Sequence, residues 1–170
     1  NKVCRKGLNK NKVILVEGEN WPQGIVGLVA GKLMEEFARP VIVCEKIKDS
    51  LRGSARSIEA YNLIAALDSA KQYLTRYGGH KKAAGVSLEY KHLSNLYDQL
   101  LKVAESEISD EDLIPKINID AKLELKDINN RNYDKIKKLE PFGYGNPRPV
   151  FLLEKVLAND IKTVGKENKH

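Results

Sequence analysis

The sequence predicts an α/β fold, a mixed β-sheet flanked by helices, followed by a connector and an incomplete β segment. Three observations carry this prediction. Val13-Ile14-Leu15-Val16 and Val41-Ile42-Val43-Cys44-Glu45 are short apolar runs of the kind that fill buried strands. Residues 25–37 between them hold helix-forming material, so strand, helix and strand make a βαβ unit with parallel strands. Further on, Leu93, Leu96, Tyr97, Leu100, Leu101 and Ala104 form one apolar stripe at helical spacing, which predicts a helix over 92–106.

The elements follow in order. Residues 1–12 are polar and basic, with Lys2, Arg5, Lys6, Lys10 and Lys12, and no initiating Met. They read as the cut edge of a larger protein or as a loose arm. The strand over 13–16 ends at Glu17-Gly18, and a loop with Pro22 leads into the helix at Ile25. The first half of that helix is apolar nearly all round, through Ile25, Val26, Leu28, Val29 and Ala30, which predicts that it is buried. Gly24, Gly27 and Gly31 recur at helical spacing, each weakening the helix by about 1 kcal/mol relative to Ala. Close packing on a strand would offset that cost. Pro40 stops the helix. A turn at 48–50 leads to a third strand over 51–58, antiparallel to the second. Its small, polar residues are poor core material and fit a strand that faces a cleft or ligand.

Residues 61–77 carry Leu63, Ile64, Leu67, Ala70 and Leu74 at helical spacing, one or two helices running into Gly78-Gly79-His80. Residues 83–88 read as a strand. The acidic run over 105–112 marks a boundary. Residues 117–125 alternate with period two, as a half-exposed strand does. Residues 128–139 make a short polar helix, 140–149 are too rich in Pro and Gly for regular structure, and 150–163 are strand-like. The expected domains are 1–110, a connector over 111–146, and 147–170.

Composition narrows the function. The chain has 170 residues, 42% hydrophobic and 31% charged, with a net charge of +6. A basic balance favours a polyanionic partner, nucleic acid first, against the alternative of a merely basic surface. Cys44 lies in a buried strand and Cys4 in a polar stretch, which makes neither a disulfide framework nor a zinc site. A reducing, cytoplasmic setting fits. No signal peptide is seen, and no apolar run approaches a membrane span.

Two segments combine glycine with cations and hydroxyls, Arg52-Gly53-Ser54-Ala55-Arg56-Ser57 and Arg76-Tyr77-Gly78-Gly79-His80-Lys81-Lys82. In the first, Ser54 and Arg56 are two apart on a strand and share a side with Arg52, so hydroxyl and guanidinium can converge on one phosphate. The alternative is a solvated edge strand with incidental arginines. In the second, Gly78-Gly79 reads as a tight turn presenting N–H groups, with His80 as a donor, or as a helix C-cap following Arg76. Lys81 and Lys82 add charge. His80, His92 and His170 have no acidic partner at ligand spacing, so no metal is expected in this chain. Trp21 sits before a helix start, either stacking on a base or packing as a staple on the core. Phe142, Tyr144 and Arg148 either stack on nucleic acid or belong to a linker.

Gly18-x-x-Trp21-x-x-Gly24-Ile25-Val26-Gly27-Leu28-Val29-Ala30, Arg39-Pro40-Val41-Ile42-Val43, Gly53-Ser54-Ala55-Arg56-Ser57 and Arg76-Tyr77-Gly78-Gly79-His80-x-x-Ala83-Ala84-Gly85 form an ordered set. The set resembles the DHH-associated domain of RecJ-type single-strand-DNA-specific exonucleases. Glu140-Pro141-Phe142-Gly143-x-Gly145-Asn146-Pro147-x-Pro149-Val150-Phe151 is similar to that family's junction into its oligonucleotide-binding (OB) barrel. The resemblance implies that the chain is a fragment, with residues 147–170 too short for a five-stranded barrel. It implies a separate Asp-His-His phosphoesterase domain, holding Mn²⁺ or Mg²⁺, that performs hydrolysis and against which this domain closes on single-stranded DNA. By motif, Ser54 and Arg56 would grip the terminal 5′ phosphate, and Gly78, Gly79 and His80 would line the same cleft. Arg52, Ser57, Lys81 and Lys82 join them through charge or adjacency. Two other readings stay open: a phosphoesterase for short oligonucleotides or cyclic dinucleotides, and a non-catalytic protein-interaction module.

Overall fold

In the computed structural model, residues 7–143, 145–157 and 159 are described, in two compact units, Asn1–Pro115 and Lys116–His170. The first unit is organised by a five-stranded sheet. Strand β1 (Ile14–Glu19) runs parallel to β2 (Val41–Ile47), and helix α1 (Gln23–Phe37) connects them, so the predicted βαβ unit is present. α1 ends at Ala38, which takes a left-handed φ of 50° just before Pro40. Lys48, at φ 53°, turns β2 back into β3 (Ser50–Arg56), which is antiparallel as predicted. β4 (Arg76–His80) and β5 (Ala83–Glu89) form a hairpin, and the strand order is β1-β2-β3-β5-β4.

Each face of the sheet buries a different core. On one face Ile42, Cys44, Leu51, Ala55, Val86 and Leu88 pack with α2 (Leu63–Ser69) and α3 (Leu93–Glu107), through residues such as Leu67, Leu96 and Leu100. The Asn62 side chain caps α2 by accepting from the Ala65 N–H. On the other face Ile14, Val16, Val41 and Val43 pack against Val26 and Ala30 of α1.

Several expectations are corrected. β3 is the central strand, which removes the reading of a solvated edge strand. The first half of α1 is not buried: Val26 and Ala30 are, but Ile25, Val29 and Leu28 (69% exposed) face outward. A helix lying on a sheet buries one stripe, and among the described residues nothing covers its outer side. Of the one or two helices predicted over 61–77, one α-helix forms and stops at Ser69, with a single 3₁₀ turn at Lys71–Tyr73 after it. Residues 76–80 are an edge strand rather than a glycine turn or C-cap, because their backbone groups find β5 as a partner.

In the second unit, the strand predicted over 117–125 contracts to β6 (Ala121–Lys122), paired in parallel with β7 (Phe151–Leu152). Ile117 and Ile119 remain exposed, so their alternation has no packed face to stand on. The polar helix is α4 (Asn130–Lys137), capped by Asn129. The Pro- and Gly-rich segment is tied by the Asn146 amide, which donates to Leu139 O and Pro141 O. Of the strand-like material over 150–163 the described residues form only β7, and residues 158 and 160–163 lie outside the described residues. Among the described residues, no helix is long and apolar enough to cross a membrane.

Candidate nucleic-acid interface

Directly paired residues of antiparallel strands share a face. The registers therefore extend α1's face of the sheet in three rows across β2, β3, β5 and β4: Glu45–Arg52–Ser87–Arg76, Val43–Ser54–Gly85–Gly78, and Val41–Arg56–Ala83–His80. The two glycine-cation segments are thus neighbours through β5. α1 covers Val41 and Val43 but leaves the β5–β4 flank open. The result is an open cleft of about 680 Å³, lined by Gln23, Gly24 and Gly27 of α1 and by Arg52, Ser54, Arg76, Gly78, Gly85 and Ser87 of the sheet.

Arg56 lies behind Ser54, outside the cleft lining, and its guanidinium donates to Ser54 Oγ (3.0 Å) and Ala55 O (2.8 Å), which fixes its plane beside the hydroxyl. A methyl group on Gly27 would stand 3.3 Å from both Ser54 Oγ and Arg56 Nη2, so α1 crosses directly over the pair. The first turn of α1 borders the cleft without a side-chain cap, leaving free N–H groups and the positive end of the helix dipole there. Gln23 is held by donating its amide to Glu45 Oε2 and, at 3.4 Å, to Arg52 O.

The glycines divide into two kinds. A Cβ on Gly78 or Gly85 would meet nothing within 4 Å, so these two form a bare floor. A Cβ on Gly53 would collide with the Val43 carbonyl oxygen. One on Gly79, at φ 152°, would collide with that of Ala83. Gly53 and Gly79 are required by the backbone itself.

Charge is distributed unevenly. Among the described residues every ion pair is made by a lysine, and Arg52, Arg56 and Arg76 have no carboxylate partner. Lys81 and Lys82 sit at the β4–β5 turn and both bind Glu59, whose carboxyl they hold down at about 2 by hydrogen bonding and charge. Ser57 is only 3% exposed and donates to Tyr61 O (3.0 Å), while its N–H bonds Lys82 O. It ties the end of β3 to the hairpin and lies outside the cleft lining. His80 is exposed in the third row, beyond the lining, and Gly79 supports the strand behind it.

Several cleft residues escaped the sequence reading. Arg76 shares a strand side with Gly78, a signal hidden when the segment is read as a helix end. Gly85 and Ser87 are found only through the register. Trp21 packs against the core beside Gly18, the staple role rather than a stacking one. The Phe142 ring is occupied by the Arg148 guanidinium at 5.5 Å, and Tyr144, Cys4 and His170 lie outside the described residues. Cys44 is buried, and desolvation, with the Glu17 charge, pushes its thiol up to about 12, which makes it inert. Among the described residues no group of three or more His, Cys, Asp or Glu comes together, and the serine, glycine and arginine lining does not fit a divalent cation.

A mixed sheet with an arginine-walled, glycine-floored cleft under a helix N-terminus defines an α/β domain receptive to anions. The chain belongs to the DHHA1 domain family, whose model matches residues 9–110, and residues 119–170 match the RecJ OB domain. The single-stranded-DNA-specific exonuclease RecJ of Bacillus subtilis (strain 168) is 33% identical over 170 residues, covering 99% of this chain and 22% of that protein. Thermus thermophilus RecJ is 31% identical over 147 residues, covering 83% of this chain and 20% of that protein. The crystal structure of Thermus thermophilus RecJ in complex with Mn²⁺ superposes with a TM-score of 0.76 at 28% identity, over 89% of this chain and 22% of that one. The chain therefore spans about a fifth of the length of these relatives.

Proposed function

We propose that this chain is the nucleic-acid-binding part of a RecJ-like single-strand-DNA-specific exonuclease, acting 5′ to 3′ in cytoplasmic DNA repair and recombination. Residues 1–110 are the substrate-binding domain, 111–146 the connecting strand and helix, and 147–170 the opening of the OB-like part, the match to the RecJ OB domain beginning already at residue 119 within the connector. Ser54 and Arg56 receive the terminal 5′ phosphate. Gly78, Gly79 and His80 border the route of the strand toward the scissile bond. Hydrolysis belongs to a separate DHH domain of the same protein, which holds Mn²⁺ or Mg²⁺, and this chain alone hydrolyses nothing.

The observation that carries this reading is the register that sets the Ser54–Arg56 pair and Gly78 on one sheet face, with Ser54 and Gly78 in the open cleft and Arg56 held against Ser54 beneath α1. A guanidinium fork, a hydroxyl and a helix N-terminus supply donors suited to a phosphate. The bare Gly78–Gly85 floor lets a sugar–phosphate backbone lie against the sheet.

The test compares 5′-phosphorylated and 5′-hydroxyl oligonucleotides binding to the full-length protein, with and without Arg56→Ala. A charge-assisted hydrogen bond contributes about 1.5–3 kcal/mol, so the variant should lose roughly tenfold or more on the phosphorylated end. Equal loss on both ends would sink end recognition. Metal-dependent nuclease activity of the pure 170-residue chain would overturn the division of labour.

A further inference from the structure

We infer that the cleft holds two successive phosphates, the row Arg52–Ser87–Arg76 being a second phosphate subsite one nucleotide along from Ser54–Arg56. The inference rests on the reading of Ser54–Arg56 as the first subsite.

Arg52, Ser87 and Arg76 are cross-strand neighbours on one face, and all three line the cleft. Arg52 and Arg76 flank Ser87 from the two strands beside β5, each about 4.8 Å away across the ladder. Two long guanidinium arms can close from both sides on an anion seated over the Ser87 hydroxyl. Neither arginine is drawn off by a carboxylate. Glu45 ends the row on the β2 side, and its carboxylate is engaged by the Gln23 amide. A phosphate is repelled from that end and centred over β5.

Spacing supports the pairing. Adjacent rows lie two residues apart along the strand, about 7 Å. That distance is close to the separation of successive phosphates in an extended single strand. The adjacent row is that of Ser54, against whose hydroxyl the Arg56 guanidinium is held, and it also carries Gly85 and Gly78, both open above the Cα. Nothing there obstructs the sugar linking the two phosphates.

The experiment titrates the 170-residue chain by NMR with a 5′-phosphorylated mononucleotide, which has one phosphate, and a 5′-phosphorylated dinucleotide, which has two. The wild type should bind the dinucleotide more tightly. Arg76→Ala should remove about tenfold of affinity for the dinucleotide and leave the mononucleotide unchanged. For a longer single strand its salt slope should fall by about 0.7, one phosphate's share. Arg76→Lys should restore the slope more fully than the affinity, because it keeps the charge and loses the fork. Equal Kd values for the two ligands in the wild type, or equal effects of Arg76→Ala on both, would overturn the second subsite. Arg56→Ala reports separately: if it leaves the mononucleotide unaffected, the first subsite fails instead.

Discussion

Under α1 the sheet face carries Ile14, Val16, Val41 and Val43, while farther across the same face carries Arg52, Ser54, Ser87, Gly85, Arg76 and Gly78. The backbone ladder is continuous from one half to the other, so the difference lies in the side-chain rows and in how far the helix reaches. β3 is the seam. Its Ser54 and Arg56 pair with Val43 and Val41 of the buried half and with Gly85 and Ala83 on the open side. The opposite side of β3, through Leu51 and Ala55, is locked into the core with α2 and α3. Ser54 and Arg56 are thus carried by a strand whose other side is packed into the core, and no loop is needed to order them. Preorganisation of this kind holds the guanidinium beside the hydroxyl, with little side-chain entropy left to lose.

The largest test of the contrast is to damage each half in turn. Ile14→Ala empties a fully buried position and should cost about 2–5 kcal/mol, read from urea denaturation by the fluorescence of Trp21. Arg52→Ala, at an exposed site, should change stability by less than about 0.5 kcal/mol while weakening binding to single-stranded DNA. Loss of stability in both would mean that the open half also carries structural load.

The two kinds of glycine sharpen the same point with a smaller effect. Gly79→Ala forces a methyl toward the Ala83 carbonyl at φ 152° and should cost about 1–3 kcal/mol. Gly85→Ala meets open space, so stability should hold or rise by up to about 1 kcal/mol. Oligonucleotide affinity should nevertheless fall, because the methyl stands on the floor of the cleft. Undiminished affinity in Gly85→Ala would show that the nucleic acid does not lie on that floor.

Much of this was legible in the sequence, for reasons that can be named. The apolar runs over 13–16 and 41–45 have no other use than burial, and period two alone put Ser54, Arg56 and Arg52 on one side of a strand. What stayed hidden depended on partners far along the chain. Arg76-Tyr77-Gly78 follows helical material and carries helix-ending residues, so local propensity conceals an edge strand that only β5 stabilises. The apolar first half of α1 implied burial, but a helix on the flank of a sheet leaves Leu28 outside. Ser57 looked like one more hydroxyl of the motif, and its bond to Tyr61 O takes it out of the cleft. The alternation over 117–125 predicted a strand, whereas only Ala121–Lys122 find a partner.

The smallest expected effect concerns the rim, where Glu59 holds Lys81 and Lys82 at the turn beyond His80. Its folded carboxyl sits at about 2 against an ordinary 4.5, so its contribution to stability is full above pH 4.5 and is lost as pH falls toward 2. The group is exposed, and the contribution is correspondingly small. The urea midpoints of wild type and Glu59→Gln should differ slightly at about pH 6 and converge through that acid window. At neutral pH the variant removes one negative charge from the rim beside Lys81 and Lys82, which should tighten single-stranded DNA binding at low salt and steepen its salt dependence. Weaker binding would instead mean that the Glu59 clamp orders the β4–β5 turn for the ligand. The rim would then belong with the preorganised half of the sheet rather than with its solvated edge.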